Sequence, residues 1–356
     1  MDFYIPLILY VFIVSIFFRK QEEILIVLTL VPLLLFWGTK VNLGADYVSY
    51  LYKYETQHDM PIVWLMREAL QGKFEPGFYF LIKIMPSFNA LVFVQALFLI
   101  VSVYVFFHEF VPKYSLSLAL FLWLFHSNIF NTFSAMRSSF VIGFFLLAII
   151  AKTKSHNVTA ILLTLIGAQF HMSGYLLVLF ALLSQKVLIK ERELIKYFIF
   201  AFIIIALLIP SLFPNLLNII IESNENLSFY EDYVTDTNYG LGFYLFSIVR
   251  VGFIMYILDL FKRNLIEVKY NWIAWLTIFC YLFMMMQGIN IMYRFFNYLF
   301  LATIAFKCYV LKIDKSYMSK CYVGISIIYA LFQLYSFMHS EQMPFYIHYE
   351  SFLLQK

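Results

Sequence analysis

Charge is scarce in this 356-residue chain. Asp, Glu, Lys and Arg make up 13% of it, about half of the ~25% usual in soluble domains. Soluble catalytic signatures are missing too. There is no G-x-S-x-G, no P-loop, no H-E-x-x-H and no Rossmann glycine pattern, so none of the chemistries those motifs carry is indicated. The three cysteines, Cys280, Cys308 and Cys321, lie in or beside apolar runs without metal-ligand spacing. Free thiols and no metal site are expected. No internal repeat and no low-complexity linker divides the chain, which argues for one membrane domain over residues 1–356. Nothing points to nucleic acid or to a cofactor. The net charge of +4 is small, and most basic residues read as topology markers.

Apolar side chains are what the sequence has in excess, at 63%. Runs of roughly 15–20 apolar residues recur from end to end, more than a soluble core can hide. The pattern predicts an all-α polytopic membrane protein of about 10–12 transmembrane segments. Spans are expected at about 3–18, 24–38, 88–107, 114–131, 137–151, 195–213, 241–261, 271–287, 293–311 and 321–338. The first run, "FYIPLILYVFIVSIFF", has no basic residue before it and no small-residue cleavage site after it. It reads as a retained helix rather than a cleaved signal. Aromatics reach 21%. Codon bias of an AT-rich genome is one reading of that, and stacking of some rings against sugars is the alternative.

The connections separate by charge. "RKQEE" at 19–23, "KTKSHN" at 152–157, "QKVLIKEREL" at 185–194, "KRNLIEVK" at 262–269 and "KIDKSYMSK" at 312–320 are basic, whereas 214–240 has five acids and no Lys or Arg. Short basic loops mark the cytoplasmic side. The acidic loop 214–240, the N-terminus and the long stretch 39–87 are then expected outside. Within that stretch "PGFYFLIKIM" at 76–85 is too short to cross and should lie at the interface or pack on the bundle.

Residues 158–184 test this topology. Both flanks are basic, yet only 27 residues separate them. Two equal helical arms would reach roughly 20 Å each, short of a hydrocarbon core about 30 Å thick. A re-entrant or short-helix hairpin is expected, with its turn at "QFHMSG" and His171 at the tip.

Ionisable residues in or at the mouth of a bundle are functional candidates. On the outer face the topology gathers Arg137 and Arg294 at span starts, Arg250 about 14 Å into a span by helical rise, His171 at the hairpin tip, and Asp46 and Glu75 in the loop region. Each also has a structural reading. Arg137 and Arg294 could snorkel to headgroups, and Arg250 could pair with a carboxylate or carbonyls. His171 could cap the hairpin, Asp46 could be a turn residue, and Glu75 a helix-end residue. Together they suggest an anionic ligand, phosphate or pyrophosphate above all, because the guanidinium fork matches phosphate oxygens. A histidine or carboxylate beside them offers proton transfer.

Five stretches in order resemble the EpsG-type family of exopolysaccharide membrane proteins, grouped with Wzy-type O-antigen polymerases. They are "GADYVSYLYKYE", "FEPGFYFLIKI", "AMRSSFVIGFFLLAII", "QFHMSGYLL" and "MYRFFNYLF". They resemble the family's Gly-x-Asp-Tyr-x-x-Tyr stretch, Glu-Pro-Gly-Phe box, Arg-Gln-x-hydrophobic helix start, Phe-His-x-Ser-(Ala/Gly) motif and late Arg-x-x-x-Tyr helix. Together they cover roughly residues 40–300. Ser138 departs from the glutamine common after the arginine.

The resemblance implies a membrane glycosyltransferase at the periplasmic face of a bacterial inner membrane. It would move a growing glycan from undecaprenyl pyrophosphate onto a new lipid-linked repeat unit. Its partners would be undecaprenyl-pyrophosphate-linked oligosaccharide and membrane lipids, with chain length set by a separate regulator protein. Arg137, Arg250 and Arg294 would hold pyrophosphate and stabilise the leaving group. His171 or Asp46 would take the acceptor proton, with His171 preferred because the hairpin fixes it in a dry pocket. Glu75 would position a sugar or support an arginine, and Tyr47 and Tyr298 of the motifs would line the substrate. A flippase or transporter of lipid-linked sugars, or a polysaccharide ligase, are the alternatives. Polar residues on one face and the lack of repeated halves weigh against the transporter.

Overall fold

In lipid every backbone N–H and C=O must be satisfied within the chain, so long apolar runs with few breakers close their own hydrogen bonds as helices. The computed structural model of the protein follows that rule. It describes residues 3–18, 20–70, 75–183, 192–208, 215, 219, 241–286, 290–341, 343–346 and 348–353. Within the described residues the ten expected spans fall on helices, one of them as a bent pair. Among the described residues, five helices are long and apolar enough to cross a membrane, or six if one bent pair counts as a single span. The chain is an all-α polytopic membrane protein. The acidic stretch 214–240 lies outside the described residues apart from positions 215 and 219.

The described chain forms two compact units, residues 1–181 with 307–356 and residues 182–306. The first contains α1 (Tyr4–Phe17), α2 (Glu22–Gly38), α3 (Tyr47–Gln57), α4 (Ile62–Leu70), α5 (Pro76–Ile84), α6 (Phe88–Phe110), α7 (Leu116–Leu124), α8 (Asn128–Ser134), α9 (Met136–Thr153), α10 (Asn157–Ala168) and α11 (Tyr175–Leu182). Its core forms where α9 packs on α6 and α10, and α6 packs on α2. The second contains α12 (Arg192–Leu208), α13 (Leu241–Lys262) and α14 (Asn271–Met284). Helix α15 (Asn290–Ile313) crosses the division, which falls before Lys307. Helix α16 (Tyr317–Met338) then belongs to the first unit.

One expected span is corrected. Residues 114–131 are not a continuous helix; α7 and α8 are bent by 75°. The break falls at Phe125–Ser127, where the His126 ring turns back on the chain and its Nδ1 accepts the Asn128 amide at 3.1 Å. A polar side chain that bonds its own backbone offers an alternative to the helical ladder, and the helix restarts after it.

The hairpin expected at 158–184 is present as two short helices, α10 and α11. They are separated by residues 169–171 and a single 3-10 turn at Met172–Gly174. Its two ends lie side by side. Lys152 Nζ, at the end of α9, donates to the Ala181 carbonyl in α11 at 2.5 Å, so the chain enters and leaves the hairpin on one side. Residues 76–85 pack on the bundle as α5, with Phe78, Tyr79, Leu81 and Ile82 buried.

The small sheet was not foreseen. Strand β1 (Lys40–Val41), just past α2, pairs antiparallel with β2 (Glu350–Ser351) near the C-terminus. Phe352 N donates to the Thr39 carbonyl at 3.0 Å and the Thr39 and Ser351 hydroxyls meet at 2.7 Å. Residues 343–346 and 348–353 therefore fold back onto the loop that follows α2. The three cysteines are free thiols, with Cys280 and Cys308 buried.

Candidate active site

Each residue of the hairpin tip has a distinct task. Phe170 stacks on Phe140 of α9 at 4.7 Å and anchors the turn. His171 Nδ1 accepts the Ser173 amide at 3.2 Å and meets the Ser173 hydroxyl at 2.8 Å. Gly174 lies so close to the Ala168 backbone that a Cβ would stand 2.9 Å from its Cα, so only glycine lets the two arms meet here.

Helix α5 carries the next residue to that tip. Glu75 is the residue before α5, with Pro76 in the first turn, where its fixed φ suits a helix start. The Gly77 amide donates to the Gln169 carbonyl at 2.8 Å, and a Cβ on Gly77 would come within 2.7 Å of that oxygen. This docking puts the Glu75 carboxylate against the turn. Glu75 Oε1 accepts the Met172 amide at 2.6 Å, and Oε2 meets Arg137 Nη1 at 2.7 Å. His171 Nδ1 lies 4.0 Å from the same carboxylate.

Arg137 sits in the first turn of α9. Its Nε donates to the Tyr50 hydroxyl of α3 at 3.5 Å. Burial raises the Tyr50 phenol above its ordinary pKa, the Arg137 charge pulls it down, and Asp46 acts on it as well. Tyr50 thus feels the charges of both Arg137 and Asp46. The Arg137, Glu75 and His171 side chains keep 21%, 15% and 11% of their exposure. They are dry enough to strengthen charge interactions yet open enough to touch a ligand.

Asp46 precedes α3 and is exposed, and its carboxylate does not cap its own helix. Its amide donates to Ser134 Oγ at 3.4 Å. Nearby, Lys40 is buried over the Trp37 ring and donates to the Phe133 carbonyl at 2.8 Å. Burial lowers the Lys40 amine to a pKa of about 7, and Asp46 opposes the shift.

The remaining candidates are placed as follows. Tyr47 is buried with its ring edge-on to Phe88 at 5.1 Å. In the second unit, Arg250 is buried in α13 and donates to the Met284 carbonyl at 3.0 Å, a cation at the C-terminal end of α14. Arg294 is half-buried early in α15, and Tyr298 is buried one turn later. The first unit thus brings together Glu75, Arg137 and His171, with Tyr50 linking toward Asp46. Sequence reasoning overlooked Tyr50, although it is the second tyrosine of the Gly-x-Asp-Tyr-x-x-Tyr stretch. It also overlooked Ser134, Lys40 and Tyr346, which no motif marks. Among the described residues, no three His, Cys, Asp or Glu side chains are grouped to hold a metal.

No curated protein and no solved structure matches the chain. A family model does, over residues 23–351, a range that holds every side chain of the constellation. The protein is a member of the EpsG family, the family of Wzy-type polysaccharide polymerases.

Proposed function

We propose that the protein polymerises glycan repeat units carried on undecaprenyl pyrophosphate, at the outer face of the bacterial cytoplasmic membrane. The observation that carries this reading is the Glu75–Arg137 pair, locked to the hairpin tip through Met172 and to α3 through Tyr50. A fixed, mostly desolvated guanidinium is a preorganised partner for a pyrophosphate leaving group, and such a donor is worth on the order of 3–4 kcal/mol in the transition state.

In the reaction the acceptor sugar hydroxyl gives up its proton and its oxygen attacks the anomeric carbon of the donor glycan. The bond from that carbon to the pyrophosphate oxygen breaks, and undecaprenyl pyrophosphate leaves with the electron pair. Arg137 meets the growing negative charge. Arg250 and Arg294, in the second unit, are further candidates for pyrophosphate binding from the sequence topology alone.

The tautomer of His171 bears on the choice of base. Nδ1 accepts the Ser173 amide, so the proton of the neutral ring sits on Nε2. Neutral His171 is then a hydrogen-bond donor, suited to a phosphate or sugar oxygen, and the role of base falls to the exposed Asp46 carboxylate.

The test is a polysaccharide ladder from cells lacking the protein, complemented with wild type or with His171→Ala, Arg137→Ala, Arg250→Ala or Arg294→Ala at matched expression. The reading holds if variants leave only single-unit glycolipid. Full ladders from every variant would make the constellation structural. Full ladders without the protein would move transport or ligation ahead of polymerisation.

A further inference from the structure

The loop that carries Asp46 closes its own turn, with the Tyr47 amide donating to the Gly44 carbonyl at 3.1 Å, and is held from outside as well. Asn42 has φ of 50° and Gly44 φ of 110°, so two of its residues occupy the left-handed region that costs an ordinary residue roughly 1–2 kcal/mol. A Cβ at Gly44 would stand 2.7 Å from Ser134 Oγ. Asparagine and glycine adopt this region readily, and further groups fix the loop in place.

Those groups come from the far end of the chain. The Gly44 amide donates to the Phe345 carbonyl at 3.0 Å. Burial raises the Tyr346 phenol, and hydrogen bonding from Ser134 and the Ala45 backbone lowers it again, which sets the hydroxyl beside both; Ser134 Oγ in turn accepts the Asp46 amide at 3.4 Å. Consecutive residues 44, 45 and 46 are therefore each held from outside the loop, two of them by residues 345 and 346. The Tyr346 ring is buried against Phe130 at 5.1 Å and Phe337 at 5.4 Å. Beyond it, Tyr349 stacks on Phe36 at 4.5 Å, and the β1–β2 pairing closes the other end.

We propose that residues 343–346 and 348–352 act as a positioning strap for Asp46, and that the Tyr346 hydroxyl sets where its carboxylate stands. This rests on the reading of Asp46 as the base. Tyr346 touches neither substrate nor reacting atoms in this scheme; it acts through Ala45 and Ser134. The aromatic packing holds the strap, and the hydroxyl transmits its position to the loop.

Tyr346→Phe separates these tasks, since it keeps the ring and removes the oxygen. The full-length protein in detergent would be given lipid-linked repeat units purified from cells lacking it, with polymer formation timed and amide hydrogen exchange followed over residues 43–47. The expected result is a fall in kcat of about tenfold with KM unchanged, a melting temperature lowered by no more than one lost hydrogen bond accounts for, and faster exchange in the loop. Ser134→Ala should act alike, and the double variant should be little worse than either, because both break one chain of contacts. Unchanged kcat and unchanged exchange overturn the strap. A raised KM with preserved kcat overturns it too, by placing Tyr346 in substrate binding. If wild type extends no glycolipid, the polymerase reading fails and the role of Asp46 with it. Faster loop exchange in Tyr346→Phe would then leave the strap as a structural tie alone.

Discussion

Glu75 and Arg137 meet at 2.7 Å, and the second oxygen of the same carboxylate is taken by the Met172 amide. One side chain therefore fixes both the cation and the turn beside it. Removing its charge while keeping its shape separates the two effects. Glu75→Gln should still accept the Met172 amide but should release Arg137, and polymer formation should fall by at least about tenfold, since breaking a desolvated pair leaves a charge uncompensated. Ladder length at matched expression measures this. Full ladders from Glu75→Gln would mean that the pair is not needed.

His171→Asn tests the tautomer argument. The asparagine oxygen can take the place of Nδ1 and keep the Ser173 amide bonded, whereas nothing replaces Nε2. The variant should be made and should melt like wild type, and it should form no polymer. A fully active His171→Asn would reduce His171 to a turn cap.

Gly77→Ala should be poorly tolerated. The added methyl would meet the Gln169 carbonyl at 2.7 Å, and backbone on both sides cannot yield cheaply, so a loss on the order of 1–3 kcal/mol is expected. Gly324→Ala is the control, for a Cβ there meets nothing within 4 Å, and alanine in a helix interior should be neutral or stabilising by roughly 0.5–1 kcal/mol. Thermal melts of the two purified variants decide the matter. Equal melts would mean that α5 does not dock on the hairpin as described.

Lys40 gives a pH dependence. Burial holds its amine at a pKa of about 7, against 10.5 in the ordinary state. Between those values the unfolded chain binds a proton that the folded chain has released, so stability should rise with pH from about 7 towards 10.5, following the linkage relation. Melting temperature across that window should climb for wild type and flatten for Lys40→Met. Parallel curves for the two proteins would remove Lys40 as the cause.

Legibility in the sequence followed the range of the interactions. The spans were readable because hydrophobic runs act locally, and the hairpin was readable because two basic flanks lay too close for two full crossings. The bend at His126 was missed because the run around it is apolar enough to look continuous. Glu75, Arg137 and His171 were found as polar residues out of place, yet their mutual contacts join positions far apart in the chain. Tyr346 and Ser134 stayed hidden for a different reason: neither is unusual where it stands, and their meaning comes from the return of the C-terminal segment to the loop after α2. Arg250 is legible as a buried cation, but the sequence could not say that the Met284 carbonyl would receive it.

Met172 contributes to the constellation through its backbone amide. Glu75 takes its amide, while its side chain remains 53% exposed. The residue at this position can therefore be exchanged without touching the contact it makes. A cysteine there would be a thiol more accessible than the buried Cys280 and Cys308, one residue from His171. A fluorophore attached to it would report on ligand binding beside Glu75 and Arg137 while the Met172 amide contact stays intact.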